Sequence, residues 1–180
     1  MRIISGKSGG IVLETLPGRK TRPTTDRVKE SIFNLIQFSV PNKNVLDLFS
    51  GSGALGLEAA SRNAKKVFLV EKNPDCEPII NRNIKKANLE ENVELHIKDS
   101  FDYLLTTNEK FDIVLLDPPY QKNIKKKAID LLIENDLLNK NALIIVETFI
   151  KDDLSFDYDN LDLIRNREYG NSKIYILRRK

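Results

Sequence analysis

The chain has 180 residues, 41% of them hydrophobic and 31% charged, enough apolar material for one packed domain and too mixed a composition for a disordered or collagen-like chain. The net charge of +3 is too mild to establish a polyanionic partner. One cysteine, Cys76, excludes an intramolecular disulfide and a multi-cysteine zinc site; the start MRIISGKSGG lacks the apolar stretch of a signal peptide, and no apolar run approaches the ~20 residues of a membrane helix, so a cytoplasmic protein with no membrane partner is expected.

By segment the charge is uneven. Residues 1–30 carry seven basic and three acidic side chains, a local excess of +4, and the remainder of the chain sums to −1. This arm is either a solvated terminus or a surface for something anionic. Within it, Ile3-Ile4 and Ile11-Val12-Leu13 flank a glycine-rich stretch and read as a short hairpin. RPTTDRVKESIFNLI follows, with Thr24 or Thr25 able to cap a helix whose apolar Val28, Ile32, Leu35 and Ile36 share one face; Pro41 ends it. The domain division expected is an arm, residues 1–40, docked on a catalytic unit, residues 41–180.

From residue 44 onward the runs NVLDLF, KVFLVE, VELHIK, FDIVLLD and ALIIVET read as strands. Helical segments at 55–63, 74–88 and 125–138, with a weak turn at 100–105, alternate with them. Such alternation predicts an α/β fold, a mostly parallel sheet covered on both faces. LDLIRNREYG and SKIYILRRK, joined at Gly170-Asn171, then predict a C-terminal hairpin that adds an antiparallel strand. KNIKKK at 122–127 reads as a solvated loop opening a helix.

The sharpest motif is VLDLFSGSGALGLEAA, where Gly51, Gly53 and Gly56 form G-x-G-x-x-G after a strand and at the mouth of a helix. Dinucleotides and S-adenosylmethionine both use such loops. Asp47 at the strand end opposes a pyrophosphate and attracts an ammonium or sulfonium, which favours the methyl donor. Glu71 ends the second strand, twenty residues after Gly51, where either ligand would offer ribose hydroxyls. Asp99 and Ser100 follow the third strand; Asp99 is placed to accept from an adenine amine, with Phe101 against the ring, or else to cap a helix. Asp117-Pro118-Pro119-Tyr120 ends the fourth strand. The prolines fix two φ angles and leave rigid carbonyls, so that Asp117 and the Pro118 carbonyl can accept the hydrogens of an exocyclic amine while Tyr120 offers a flat face to a base. Taken alone, the tetrapeptide could be a stiff turn. Cys76 and His96 read as structural, and no metal site is expected.

RIISGKSGG, RPTTDRVKESIFN, VLDLFSGSGALGLEAASR, DPPY, REYG and SKIYILRR resemble, in that order and over nearly the full length, the bacterial 16S ribosomal RNA guanine-N2 methyltransferases. That resemblance implies a Rossmann-like class I methyltransferase fold, a seven-stranded sheet, S-adenosylmethionine as donor without a metal, and N2-methylguanine in 16S rRNA as product, made by a monomer on free rRNA or an assembling 30S subunit. It places Asp47, Ser50, Gly51, Gly53, Glu71, Lys72, Asn73, Asp99 and Ser100 at the donor, and Asp117, Pro118, Pro119 and Tyr120 at the target amine. It assigns Arg2, Lys7, Arg22, Thr24, Thr25 and Arg27 to RNA or to closing the site. An adenine-N6 DNA methyltransferase shares the proline corner, and a nicotinamide-dependent oxidoreductase or a non-catalytic nucleotide-binding module shares the glycine loop.

Overall fold

Alternation of buried side chains is what builds the sheet. In the computed structural model, which describes residues 1–16, 26–118, 122–152 and 155–180, the elements follow in order: α1 (Asp26–Ile36), β1 (Asn44–Asp47), α2 (Ala54–Ser61), β2 (Lys66–Glu71), a single 3-10 turn (Pro74–Cys76), α3 (Glu77–Lys86), β3 (Val93–Ile97), α4 (Ser100–Thr106), β4 (Phe111–Leu116), α5 (Lys122–Glu134), β5 (Leu138–Phe149), β6 (Leu161–Tyr169) and β7 (Ser172–Arg179). Val45, Val67, Leu69, Ile113 and Leu115 bury on one face with α1, α2 and α3. Their strand neighbours Leu46, Phe68, Val70, Val114 and Leu116 bury on the other, with α4 and α5. A two-residue period with both sides apolar therefore places helices on both faces.

The strand order is β3-β2-β1-β4-β5-β7-β6. The first five strands pair in parallel, and β7 runs antiparallel to both β5 and β6. This is the seven-stranded sheet with an antiparallel C-terminal strand that the sequence predicts. The largest differences lie around α5. KNIKKK is not a loop: α5 begins at Lys122 and ends at Glu134, and Leu138 already belongs to β5. Asp136, with φ of 49°, makes the turn between them.

The N-terminal hairpin forms, with Arg2 bridged to Val12 and reciprocal backbone bonds between Ile3 and residues Gly10 and Ile11. It docks on α2 through polar side chains buried inside an otherwise apolar helix. Glu58 is fully buried; its Oε2 accepts from the Ile4 backbone N–H at 2.7 Å and its Oε1 from Ser5 at 3.1 Å and Arg62 Nε at 2.7 Å. Lys29 of α1, also fully buried, brings its Nζ to 3.1 Å from Glu58 Oε2 and donates to the Arg2 carbonyl. Ser61 completes the dock, accepting from the Ser8 N–H at 3.0 Å and donating to the Ser5 carbonyl at 2.6 Å. Gly6, with φ of +86°, lies so close that a Cβ there would sit 2.0 Å from the Ser61 carbonyl oxygen, which makes glycine obligatory at that turn. The candidate caps Thr24 and Thr25 lie outside the described residues.

Breaking one side of a buried ion pair leaves the other charge uncompensated, at about 3–5 kcal/mol. Glu58→Ala also strands two backbone N–H groups and is expected to destabilise by at least that amount and to expose the hairpin to protease. Lys29→Met leaves Arg62 and both N–H groups on Glu58 and is expected to cost less. Denaturant melts of the two variants check the order.

Candidate active site

Three carboxylates stand at the carboxyl ends of three adjacent parallel strands. Asp47 ends β1 and pairs in register with Leu69 of β2 and Leu115 of β4; Glu71 and Asp117 each lie two residues further along. Asp47 is 1% exposed and Glu71 is 7% exposed. Ligands of open α/β sheets bind in this crevice.

The glycine loop folds over it because its residues adopt left-handed backbone angles, φ +59° at Gly51 and +82° at Gly53, the residue before α2. Gly56 is needed for a different reason: its N–H donates to Asp47 Oδ2 at 2.8 Å, and a Cβ there would come within 2.1 Å of Leu69 Cδ2. Glu71 ties the loop to β2, accepting from Gly51 N–H and from Asn73 N–H, each at 2.8 Å. Carboxylate oxygens accept more than one hydrogen bond, so these contacts orient Glu71. Ser50 is turned inward, its Oγ 2.8 Å from the Asp47 carbonyl and 3.1 Å from that of Val70. It shapes the loop from beneath.

Burial pushes the Asp47 carboxyl up to about 7; the Gly56 N–H opposes this, and the charges of Asp117 and Glu71 add to it. An acid so placed is short of positive charge. A cation entering the crevice would supply it.

Asp99 caps α4: its Oδ1 accepts from Phe101 N–H at 2.9 Å, while its Oδ2 lies 3.2 Å from Lys72 Nζ. Burial raises its pKa, but the Phe101 N–H, Lys72 and the Asp102 N–H outweigh burial and hold it below the usual carboxylate range. Ser100 is spent within the fold, donating to the Leu48 carbonyl at 2.7 Å and so fastening α4 to the end of β1. Asn73 caps the 3-10 turn through Asp75 N–H at 3.0 Å. Phe101 carries Lys127 Nζ 4.0 Å from its ring centre.

Asp117 is half-buried and Pro118 buried, while Pro119 and Tyr120 lie outside the described residues. Behind Asp117 stands a residue the motifs do not mark. Lys125, read as part of a solvated run, is 3% exposed and donates to Thr148 Oγ1 at 2.7 Å. Burial lowers its pKa, against the charges of Asp152, Asp117 and Glu147. The signal was present: Lys125, Ala128, Ile129 and Leu132 fall on one helical stripe, and the other three are core residues.

Of the described arm residues, Arg2 and Arg27 line one small cleft and Lys7 lies apart from them. Arg2 pairs with Asp26 at 3.6 Å, and Arg27 is exposed on α1. Lys7 bonds Asn92 at 3.1 Å, before the start of β3 and thus at the opposite end of the sheet from the glycine loop. Arg22, Thr24 and Thr25 lie outside the described residues. The link from arm to loop is Asn83, fully buried on α3, which accepts from Glu14 N–H at 2.8 Å and donates, at 3.0 Å each, to the Glu14 and Ser52 carbonyls.

Cys76 is buried in the 3-10 turn, and His96 packs between Phe68 and Tyr103. Among the described residues no cluster of His, Cys, Asp or Glu is arranged to hold a metal ion.

A family model described as Conserved hypothetical protein 95 matches residues 1–178. A Haemophilus influenzae protein named ribosomal RNA small subunit methyltransferase D is 39% identical over 173 residues, 94% of this chain and 89% of its own length. The solved chain yhhF of Escherichia coli, proposed to be a methyltransferase, superposes with a TM-score of 0.90 at 30% identity, over 100% of this chain and 98% of its own. The chain SMU.776, solved with SAH, shares the fold alone, at 17% identity and a TM-score of 0.69 over 83% of this chain and 49% of its own.

Asp47 supplies a stability test. Its acid form is favoured in the folded state, raised from 3.8 to about 7, so the folded protein binds more protons than the unfolded one in that window and stability falls as pH rises through it. Asp47→Asn removes the penalty. Thermal melts are expected to show a variant-minus-parent Tm difference that grows from pH 4 to pH 8; a difference independent of pH contradicts the assignment.

Proposed function

The chain belongs to the Conserved hypothetical protein 95 family, that of the small-subunit ribosomal RNA methyltransferases D, and from that premise we propose that it transfers a methyl group from S-adenosylmethionine to the exocyclic N2 of a guanine in 16S rRNA. The observation that carries the reading is the acidic crevice: Asp47, Glu71 and Asp117 at adjoining strand ends, beneath a loop of backbone N–H groups. Carboxylates so placed repel a pyrophosphate and attract an ammonium and a sulfonium, which favours the methyl donor over a nicotinamide dinucleotide. Bound there, S-adenosylmethionine supplies an electrophilic methyl group on sulfur.

The residues of the chain hold and orient. Asp47 meets the donor's positive charge, and Glu71 accepts ribose hydroxyl hydrogens from an orientation set by Gly51 and Asn73. Asp99, whose pKa the Phe101 N–H and Lys72 hold below the usual carboxylate range, accepts from the adenine amine. At the other side of the crevice Asp117 and the Pro118 carbonyl accept the hydrogens of the guanine amine, which frees its lone pair from the ring; this is stabilisation of a transition state by fixed acceptors. The base reaches them extruded from its stack, against Tyr120. Arg2, Lys7, Arg22, Thr24, Thr25 and Arg27 supply RNA contacts from the arm, residues 1–40, and residues 41–180 form the catalytic unit of a cytoplasmic monomer. Free rRNA or an assembling 30S subunit is the substrate.

Incubating naked 16S rRNA and 30S particles from a deletion strain with labelled donor and mapping the product tests the reaction: N2-methylguanine is expected, and label confined to DNA adenine overturns the reading. Asp117→Ala is expected to lower the single-turnover rate by roughly a hundredfold, as loss of one fixed polar partner does elsewhere. Asp117→Asn, which still accepts, should keep a larger share. An Ala variant as fast as the parent removes Asp117 from the mechanism.

Donor binding carries its own pH signature. With Asp47 titrating at about 7, S-adenosylhomocysteine, which keeps the ammonium, should bind roughly tenfold more tightly at pH 8 than at pH 6, with proton release below pH 7. Titration calorimetry in two buffers of different ionisation enthalpy reads both quantities. Equal affinity at the two pH values argues against a charge contact at Asp47.

A further inference from the structure

At the end of the sheet away from the acidic crevice lies a groove of about 630 Å³, lined by the end of α1, the residues before β1, and β4 to β7. The topology fixes its place. Lys43 precedes β1, Lys140 lies in the amino-terminal half of β5, and Arg178 pairs in register with Leu143 across the antiparallel β5–β7 ladder. All three are therefore at the amino ends of the parallel strands.

Two features set the groove apart from ordinary surface. The first is charge. Lys43, Lys140, Arg165 and Arg178 line it against one acid, Asp112. Asp112 is already engaged by Lys43 at 3.6 Å, Asn44 N–H at 2.9 Å and Asn139 Nδ2 at 3.1 Å. Lys140, Arg165 and Arg178 are exposed and form no ion pair among the described residues. The second is apolar. Phe38, just beyond α1, is 92% exposed at the groove. A register shift in the β6–β7 ladder between Leu163 and Arg165 lets both Ile164 and Arg165 line the cleft, where strict alternation would turn one of them away.

We propose that this groove is a second RNA-binding surface, in which a single-stranded segment of the substrate lays its phosphates along Lys140, Arg165 and Arg178 and stacks a base on Phe38. The inference rests on the reading of the chain as an RNA methyltransferase and adds where the RNA is held away from the reacting base. A protein partner would need an acidic face to match these cations, and a second copy would bring the same positive charge against itself. An unpaired aromatic ring beside unpaired cations suits a nucleic acid, whose bases stack and whose phosphates are uniformly anionic.

The test measures binding without donor, using naked 16S rRNA and an unstructured 20-nucleotide RNA, for the parent, Phe38→Ala and the triple variant Lys140→Ala/Arg165→Ala/Arg178→Ala. All these side chains are exposed, and matching thermal melts confirm intact folding. The triple variant is expected to lose at least tenfold in affinity at 0.1 M salt and about two units of salt slope, at ~0.7 per single-strand phosphate. Phe38→Ala should lose roughly tenfold with its slope unchanged. Parent-like binding by both variants overturns the proposal. So does parent-like binding of naked RNA combined with lost methylation of 30S particles, which assigns the groove to a ribosomal protein, or self-association of the parent abolished by Phe38→Ala. A parent that binds 16S rRNA through the groove yet methylates no guanine in naked 16S rRNA or in 30S particles defeats the catalytic reading and upholds this one.

Discussion

Helix α2 depends on a carboxylate placed where an apolar residue would ordinarily sit. Glu58 is fully buried within a helix whose other residues are all buried too, and it is tolerable only because Lys29, Arg62 and two backbone N–H groups converge on it. Replacing such a cluster with well-packed apolar side chains often costs nothing in stability, so stability alone does not account for it. What the cluster provides is directional. An apolar contact would let the hairpin slide along α2, whereas four polar bonds to one carboxylate fix Ile4 and Ser5 at a single register. The same helix opens at Gly53 over the acidic crevice, so the register of the arm and the shape of the loop are set on one rigid element.

The opposite problem arises at the crevice. Asp47 also is buried, but with one backbone N–H for company and two more carboxylates nearby, so burial leaves it with a raised pKa. Two buried acids eleven residues apart, one at the end of β1 and one within α2, thus differ in the number of cations facing each. Lys29 and Arg62 face Glu58. No such cation is among the groups that shift Asp47, and under the proposed function a cationic donor supplies the missing charge.

Much of this was legible in the residues. The two-residue alternation of the strands, the glycine spacing after β1 and the twenty-residue interval to Glu71 are local patterns, and local patterns survive without knowledge of packing. Asp99 was readable in two ways because a helix cap and an adenine acceptor require the same residue at the same place; the bond to Phe101 N–H shows that it caps, and one carboxylate can serve both roles. The Lys29–Glu58 pair and the Asn83 link to Glu14 and Ser52 were not legible. Each joins residues tens of positions apart, and nothing in either neighbourhood distinguishes an inward-facing charge from a solvated one. Lys125 lies between these cases: its helical stripe pointed inward, but its setting in KNIKKK pointed outward, and the stripe prevailed because Thr148 offers its ammonium a partner inside.

The modest net charge conceals an arrangement along the strands. Carboxylates gather at the carboxyl ends of β2, β1 and β4, and cations with no ion pair among the described residues gather at the amino ends beside β5, β6 and β7. For a small-molecule enzyme the second cluster would be idle. For a protein whose substrate is a long polyanion the separation has a use. The donor's charge needs acidic company at the point of reaction, and that company repels the phosphates flanking the target base. Attraction for the RNA must therefore come from surfaces beyond the reach of those carboxylates, and at physiological salt that reach is about 8 Å. A groove at the far end of the strands satisfies this condition.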